Sequence, residues 1–86
     1  MLSIRYWPKF HRQYKKLPVD IKEQAEQKLQ VFRNNPFDPS LRTHKLHGFL
    51  EGCWAFSINF SHRIIFGFYD EHTVEFYAVG KHDIYE

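Results

Sequence analysis

Arg63, His44, His82 and Tyr85 are not required by the apolar pattern around them, and their types suit work on a phosphodiester. A guanidinium holds a phosphate and stabilises the charge that builds on it, while an imidazole, with a reference pKa of about 6.5, moves a proton near neutral pH. RNA brings its own nucleophile, because the 2′-hydroxyl beside the scissile phosphate is already placed to attack. Such chemistry needs no cofactor and no metal. Two-metal hydrolysis would need carboxylates to hold the ions, and the sequence has no paired acidic residues that suit it. His44 and His47 lie three apart, but with no helix expected there and no third ligand they do not make a zinc site. Taken singly, His82 also reads as an exposed histidine and Tyr85 as an aromatic that seals the core edge.

The charge distribution points the same way. The formal net charge is only +2, yet Arg5, Lys9, Arg12, Lys15 and Lys16 all precede Asp20, the first acidic residue. Further cations, Arg42, Lys45 and Lys81, lie beside the candidate histidines in "RTHKLHG" and "VGKHDIYE". This is a local basic field suited to an anionic partner such as nucleic acid, or a solvated helix face. Lysines and arginines of this kind hold phosphates in position without reading sequence.

These groups need elements to position them. "LSIRYW" alternates with period two, as a strand does. Pro8 then suits a first helical position, and Phe10, Tyr14 and Leu17 share one helical face with Lys9, Arg12 and Lys16 roughly opposite. Leu17-Pro18 interrupts that helix. Ile21, Ala25, Leu29 and Phe32 mark a second one, to about Asn34 or Asn35, with Asp20 and Glu23 in its first turn. A loop, "NNPFDPS", follows. In "GCWAFSINF", Trp54, Phe56, Ile58 and Phe60 alternate with Cys53, Ala55, Ser57 and Asn59, the mark of a half-buried strand with small and polar residues on its open side. "RIIFGFY" and "TVEFYAVG" are further strands across the turn "DEH", and a short extended piece is expected near "THKLHG". The expected class is α+β: an N-terminal strand, an antiparallel helical hairpin, then a mainly antiparallel sheet of about four strands.

Register decides where Arg63 points. If residues 60–62 form the connecting loop, Asn59 pairs with Arg63 and both join Ser57 on the open face; a two-residue turn would instead set Arg63 beside Phe60. Arginine on the core face would be a costly buried charge.

At 86 residues the expectation is one domain, 1–86, with one core filled by its nine phenylalanines, five tyrosines and two tryptophans. A lone cysteine, Cys53, excludes an intramolecular disulfide and fits a reducing, cytoplasmic setting. No apolar run has the length of a membrane helix, and "MLSIRYW" is too quickly charged for a secretory signal.

In order and spacing, "YWPKFHRQYKKLP", "NNPFDPSLRTHKLHG", "GCWAFSINFSHRIIFGF" and "VGKHDIYE" resemble the RelE/ParE superfamily of toxins from type II toxin-antitoxin systems. The resemblance covers nearly the whole chain. It implies a RelE-like fold, a cognate antitoxin as partner and, for the RelE-like and YafQ-like branches, a ribosome-dependent messenger RNA endonuclease. On that resemblance Arg63 is the phosphate-contacting arginine and His82 the general acid or phosphate binder after the last strand. His44 is then a general base and Tyr85 an aromatic that stacks on a base or positions the phosphate. Lys9, Arg12, Lys15, Lys16, Arg42, Lys45 and Lys81 are the expected RNA contacts. A second active-site histidine of YafQ-like toxins has no counterpart in "FSINF". Two alternatives stay open: a ParE-like gyrase inhibitor that is not a nuclease, and an inactive homologue that keeps only the antitoxin-binding surface.

Overall fold

The computed structural model describes residues 1–81 and Ile84. In chain order the elements are β1 (Ser3–Tyr6), α1 (Pro8–Lys15), α2 (Val19–Asn34), β2 (His44–Lys45), β3 (Trp54–Ser57), β4 (Arg63–Phe68) and β5 (Thr73–Gly80). Single 3₁₀ turns, Pro39–Leu41 and Gly48–Leu50, flank β2. The strands form one sheet in the order β1-β5-β4-β3-β2, parallel between β1 and β5 and antiparallel elsewhere. The expected α+β class, the helical pair and the four later strands are all present. Among the described residues no helix is long and apolar enough to cross a membrane.

The helices form where the pattern places them. Pro8 opens α1 at a position whose N–H would have no helical partner, and Arg12 and Lys15 lie in its last turn, where cations suit the helix dipole. Lys16 to Pro18 turn the chain, and the Tyr14 hydroxyl then reaches Glu26 of α2 at 2.7 Å. Phe10, Ala25, Leu29 and Phe32 present one apolar surface, packed on Phe56, Ile58, Ile64, Phe66, Val74, Phe76 and Val79 of the strands and of the residue that follows β3. Phe32 is at the centre of this layer, stacked on Phe56 at 4.7 Å and edge-on to Phe66 at 5.0 Å. Truncating a ring so placed costs about 3–5 kcal/mol.

β1 covers only the first half of β5, from Thr73 to Phe76. Beyond it α1 takes over the strand edge, and the Gln13 side-chain oxygen accepts the N–H of Val79 at 2.9 Å. The Val79 N–H, beyond the reach of β1, is thereby satisfied without a longer strand.

The loop between β3 and β4 departs from both registers considered above. Ser57, not Asn59 or Phe60, pairs with Arg63, so the strands are joined by five residues, 58–62. The Asn59 side chain builds this turn: its oxygen accepts the N–H groups of Ser61 and His62 at 2.9 and 2.8 Å, and its amide donates to Gln24 of α2 at 2.7 Å. Phe60 does not continue the core face but stands at the loop tip, 91% exposed. Because the shift is two residues, side-chain parity is kept, and Arg63 still lies on the face away from the helices.

A second irregularity lies in β5. Ile65 pairs with Ala78 and Phe66 with Phe76, which leaves Tyr77 as an extra residue, a β-bulge.

Candidate active site

The helices cover one face of the sheet, and small residues dominate the other. Ser57, Arg63 and Gly80 form one row across β3, β4 and β5 on that open face, and Ala55, Ile65 and Ala78 form the next. His44 extends the second row, paired with Ala55, whereas Lys45 pairs with Trp54 on the opposite side. Lys45 lies over the Trp54 ring at 5.5 Å, in cation–π contact and away from Arg63. His44 and Lys45 thus alternate across the strand as expected.

A cleft of about 370 Å³ opens at the end of the first row, lined by Lys28, Ser40, Arg42, Ser57, Asn59 and Arg63. Three elements bring three cations to it. Arg63 opens β4. Arg42 ends the first 3₁₀ turn with φ 54°, a left-handed conformation uncommon for a residue with a side chain. Lys28 projects from α2 and donates to the Ser40 carbonyl at 3.3 Å. Ser40 is fixed in turn by Asp38, whose carboxylate accepts its N–H at 2.9 Å and its hydroxyl at 2.7 Å. Those two hydrogen bonds hold Asp38 below the usual carboxylate range.

The Arg63 Nη1 is buried and has no hydrogen-bond partner among the described residues. Buried donors are normally paired, and leaving one unpaired costs about 1–3 kcal/mol, so this atom is unusual. Arg63 as a residue lines a cleft that also holds two other cations. A bound oxyanion satisfies such a donor, and a phosphate does so with three oxygens.

His44 sits outside this cleft, exposed on the edge strand. Its Nδ1 lies 2.9 Å from the Arg42 carbonyl, an oxygen that can only accept. Nδ1 therefore carries the proton in this contact, which leaves Nε2 as a free acceptor on the neutral ring. His44 and Arg63 lie on the same face, two strand spacings across and one row along, roughly 12 Å apart.

A second cleft, on the other side of Gly80, gathers Lys16, Asp20, His62 and Lys81. The sequence named Lys16 and Lys81; His62 joins them as a buried histidine whose Nδ1 meets the Ser61 hydroxyl at 2.9 Å. Burial, then the positive charge of Lys81, pushes the His62 pKa down, and Asp20 partly opposes this. Lys9 borders a third, apolar cavity, and Arg12 and Lys15 stand exposed on α1. His82 and Tyr85 lie outside the described residues. The fold thus joins Arg42 with Arg63, and Lys16 with Lys81, and disperses the other expected contacts. Lys28 and His62 were not among the residues the sequence singled out. Among the described residues no group of three or more histidine, cysteine or acidic side chains is placed to hold a metal ion.

No family model matches the chain, and no curated protein matches it in sequence. Solved structures do match. YafQ from E. coli strain BL21(DE3) superposes with a TM-score of 0.80 at 16% identity, over 99% of this chain and 98% of that one. The YoeB-YefM complex from Staphylococcus aureus gives 0.76 at 20% identity, over 95% of this chain and 98% of the matched one. The toxin-antitoxin complex RelBE2 from Mycobacterium tuberculosis gives 0.77 at 21% identity, over 93% and 97%. Two helices over one face of a five-stranded, mostly antiparallel sheet are therefore the RelE-like fold, shared with toxins of the RelE/ParE superfamily.

Proposed function

We propose that the chain is the toxin of a type II toxin-antitoxin system, a single domain over residues 1–86 that acts in the cytoplasm as a ribosome-dependent messenger RNA endonuclease. One observation carries the reading: Arg63, whose buried Nη1 has no partner among the described residues, lines a cleft together with Arg42 and Lys28. A scissile phosphate seated there satisfies Arg63, which stabilises the dianionic phosphorane as the 2′-oxygen attacks. The P–O5′ bond then breaks, leaving a 2′,3′-cyclic phosphate and a 5′-hydroxyl. His44, with Nε2 free, takes the 2′-hydroxyl proton, and His82, two residues beyond the strand position opposite Arg63, supplies the proton to the leaving O5′. Tyr85 stacks on a base or positions the phosphate. Lys9, Arg12, Lys15, Lys16, Lys45 and Lys81 contact phosphates of the message or the ribosome. A cognate antitoxin is the expected partner, as the complexes of YoeB with YefM and of RelBE2 suggest by analogy.

The test is induction in cells of the wild type, Arg63→Ala and His82→Ala, with messenger RNA 5′ ends mapped while growth is followed. New in-frame ends with the wild type that vanish in both variants are expected. Growth arrest that survives both substitutions and comes with DNA breaks would instead point to the ParE-like, gyrase-inhibiting alternative.

A further inference from the structure

The open face carries the apolar cavity bordered by Lys9, which the phosphate chemistry above leaves unused. It encloses about 390 Å³, with Ile65 and Ala78 as its floor and Trp7, Leu50, Tyr77 and Ile84 around them. Its aromatic corner is fixed from several directions. Tyr77 is the bulge residue of β5, so it is re-aimed relative to its neighbours. Its ring lies over Gly67, where an added Cβ would stand 2.5 Å from the hydroxyl; glycine there lets the ring lie flat. The Trp7 indole N–H donates to Glu75 at 3.3 Å, and its ring meets Tyr77 edge-on at 4.5 Å. None of this serves the core, which lies on the opposite side of the sheet.

We propose that this cavity seats one unstacked base of the RNA strand whose phosphate is held at Arg63, an inference that rests on the RNA reading above. Position supports it first. Ile65 and Ala78 lie two residues from Arg63 and Gly80 on the same face, about 6.6 Å along the strands, a span that one nucleotide covers from phosphate to base. Shape supports it next: the floor is low at Ala78, and the walls offer rings and aliphatic side chains on which any base can stack. Charge completes it, since Lys9 borders the same cavity and favours an anionic strand. Stacking here would add affinity without selecting strongly among bases, because every base has a π-face.

Trp7 is its own reporter once Trp54, which packs on the other face against Phe37 and Phe68, is changed to Phe. In that Trp54→Phe background a 2′-O-methylated RNA hexamer, which lacks the attacking hydroxyl, is titrated beside an abasic strand of equal length and charge. The hexamer should quench Trp7 and bind about tenfold more tightly than the abasic strand. Ala78→Leu, which fills the floor, and Tyr77→Leu, which removes a wall, should each reduce hexamer binding to the abasic level without changing abasic binding. Equal binding of the two strands with no quenching overturns the base site and leaves the phosphate reading standing. Binding of neither strand overturns the base site and leaves the ribosome-dependent reading to the cellular cleavage test. Quenching by a short apolar peptide but not by RNA gives the cavity to a protein partner and overturns the proposal.

Discussion

The two faces of the sheet are made from the same strands and obey opposite rules. On the helix side, large aromatic and aliphatic groups fill the space, and packing alone accounts for Phe32, Phe56, Phe66 and Phe76. On the open side the central positions are mostly small, Ala55, Ser57, Gly67, Ala78 and Gly80, and the large groups among them, Arg63, Ile65 and Tyr77, lie outside the core cluster. One face holds the fold together. The other holds a buried donor with no partner among the described residues, which packing does not explain.

The contrast breaks or holds on stability first. Phe32→Ala should destabilise by about 3–5 kcal/mol and lower Tm by at least roughly 12 °C, or leave no cooperative transition, as followed by thermal denaturation. Arg63→Met, which keeps the stem and removes the donor that has no partner among the described residues, should leave Tm unchanged or slightly raised while RNA cleavage falls by about a hundredfold. A fall in Tm comparable to that of Phe32→Ala would make Arg63 a structural residue and erase the distinction between the faces. In the same cleft, Lys28→Ala and Arg42→Ala should each reduce the salt dependence of single-strand binding by about 0.7 in log–log slope, the signature of one lost phosphate contact.

The smallest effect concerns His62, in the cleft beyond Gly80. Its pKa is depressed in the folded protein by burial and Lys81, so the unfolded chain binds the proton more readily. Its contribution to stability is whole above about pH 6.5 and is lost as pH falls from there through the lower folded value. The stability of the wild type relative to His62→Gln, measured by denaturant titration, should therefore decline between pH 7 and pH 5. A difference that grows on acidification would mean that His62 gains a partner when protonated.

Much of this was legible from periodicity. Alternation in "GCWAFSINF" identified the open face, and helical spacing located both helices to within a residue or so, because burial on one side leaves a repeating trace. Of the candidate site, the placement of Arg63 on the open face was legible. The register was not, because Asn59 closes the turn with its side chain, and Phe60 looks like one more core residue although it stands at a loop tip. Lys28 carried no signal of its own: on α2 it reads as any solvated lysine, and it joins the site only because the turn at Pro39–Leu41 brings Ser40 beneath it. The nearest hint was "DPS", a capped turn that had to pack somewhere. His62 was masked by its neighbour, since nothing in "SHR" says which of two adjacent polar residues turns inward. The bulge at Tyr77 was likewise invisible, because one inserted residue leaves the apolar count of a strand unchanged.

The last strand in the chain lies between the first strand and β4. At translation rates of about 5–20 residues per second, β1 waits on the order of several seconds for the partner it pairs with. Until β5 docks, Arg63 has no neighbour at Gly80, and α1 has no strand edge for Gln13 to cap. While residues of β4 are still being made, the row of Ser57, Arg63 and Gly80 does not yet exist, and it closes only when the last strand is threaded between two strands made before it.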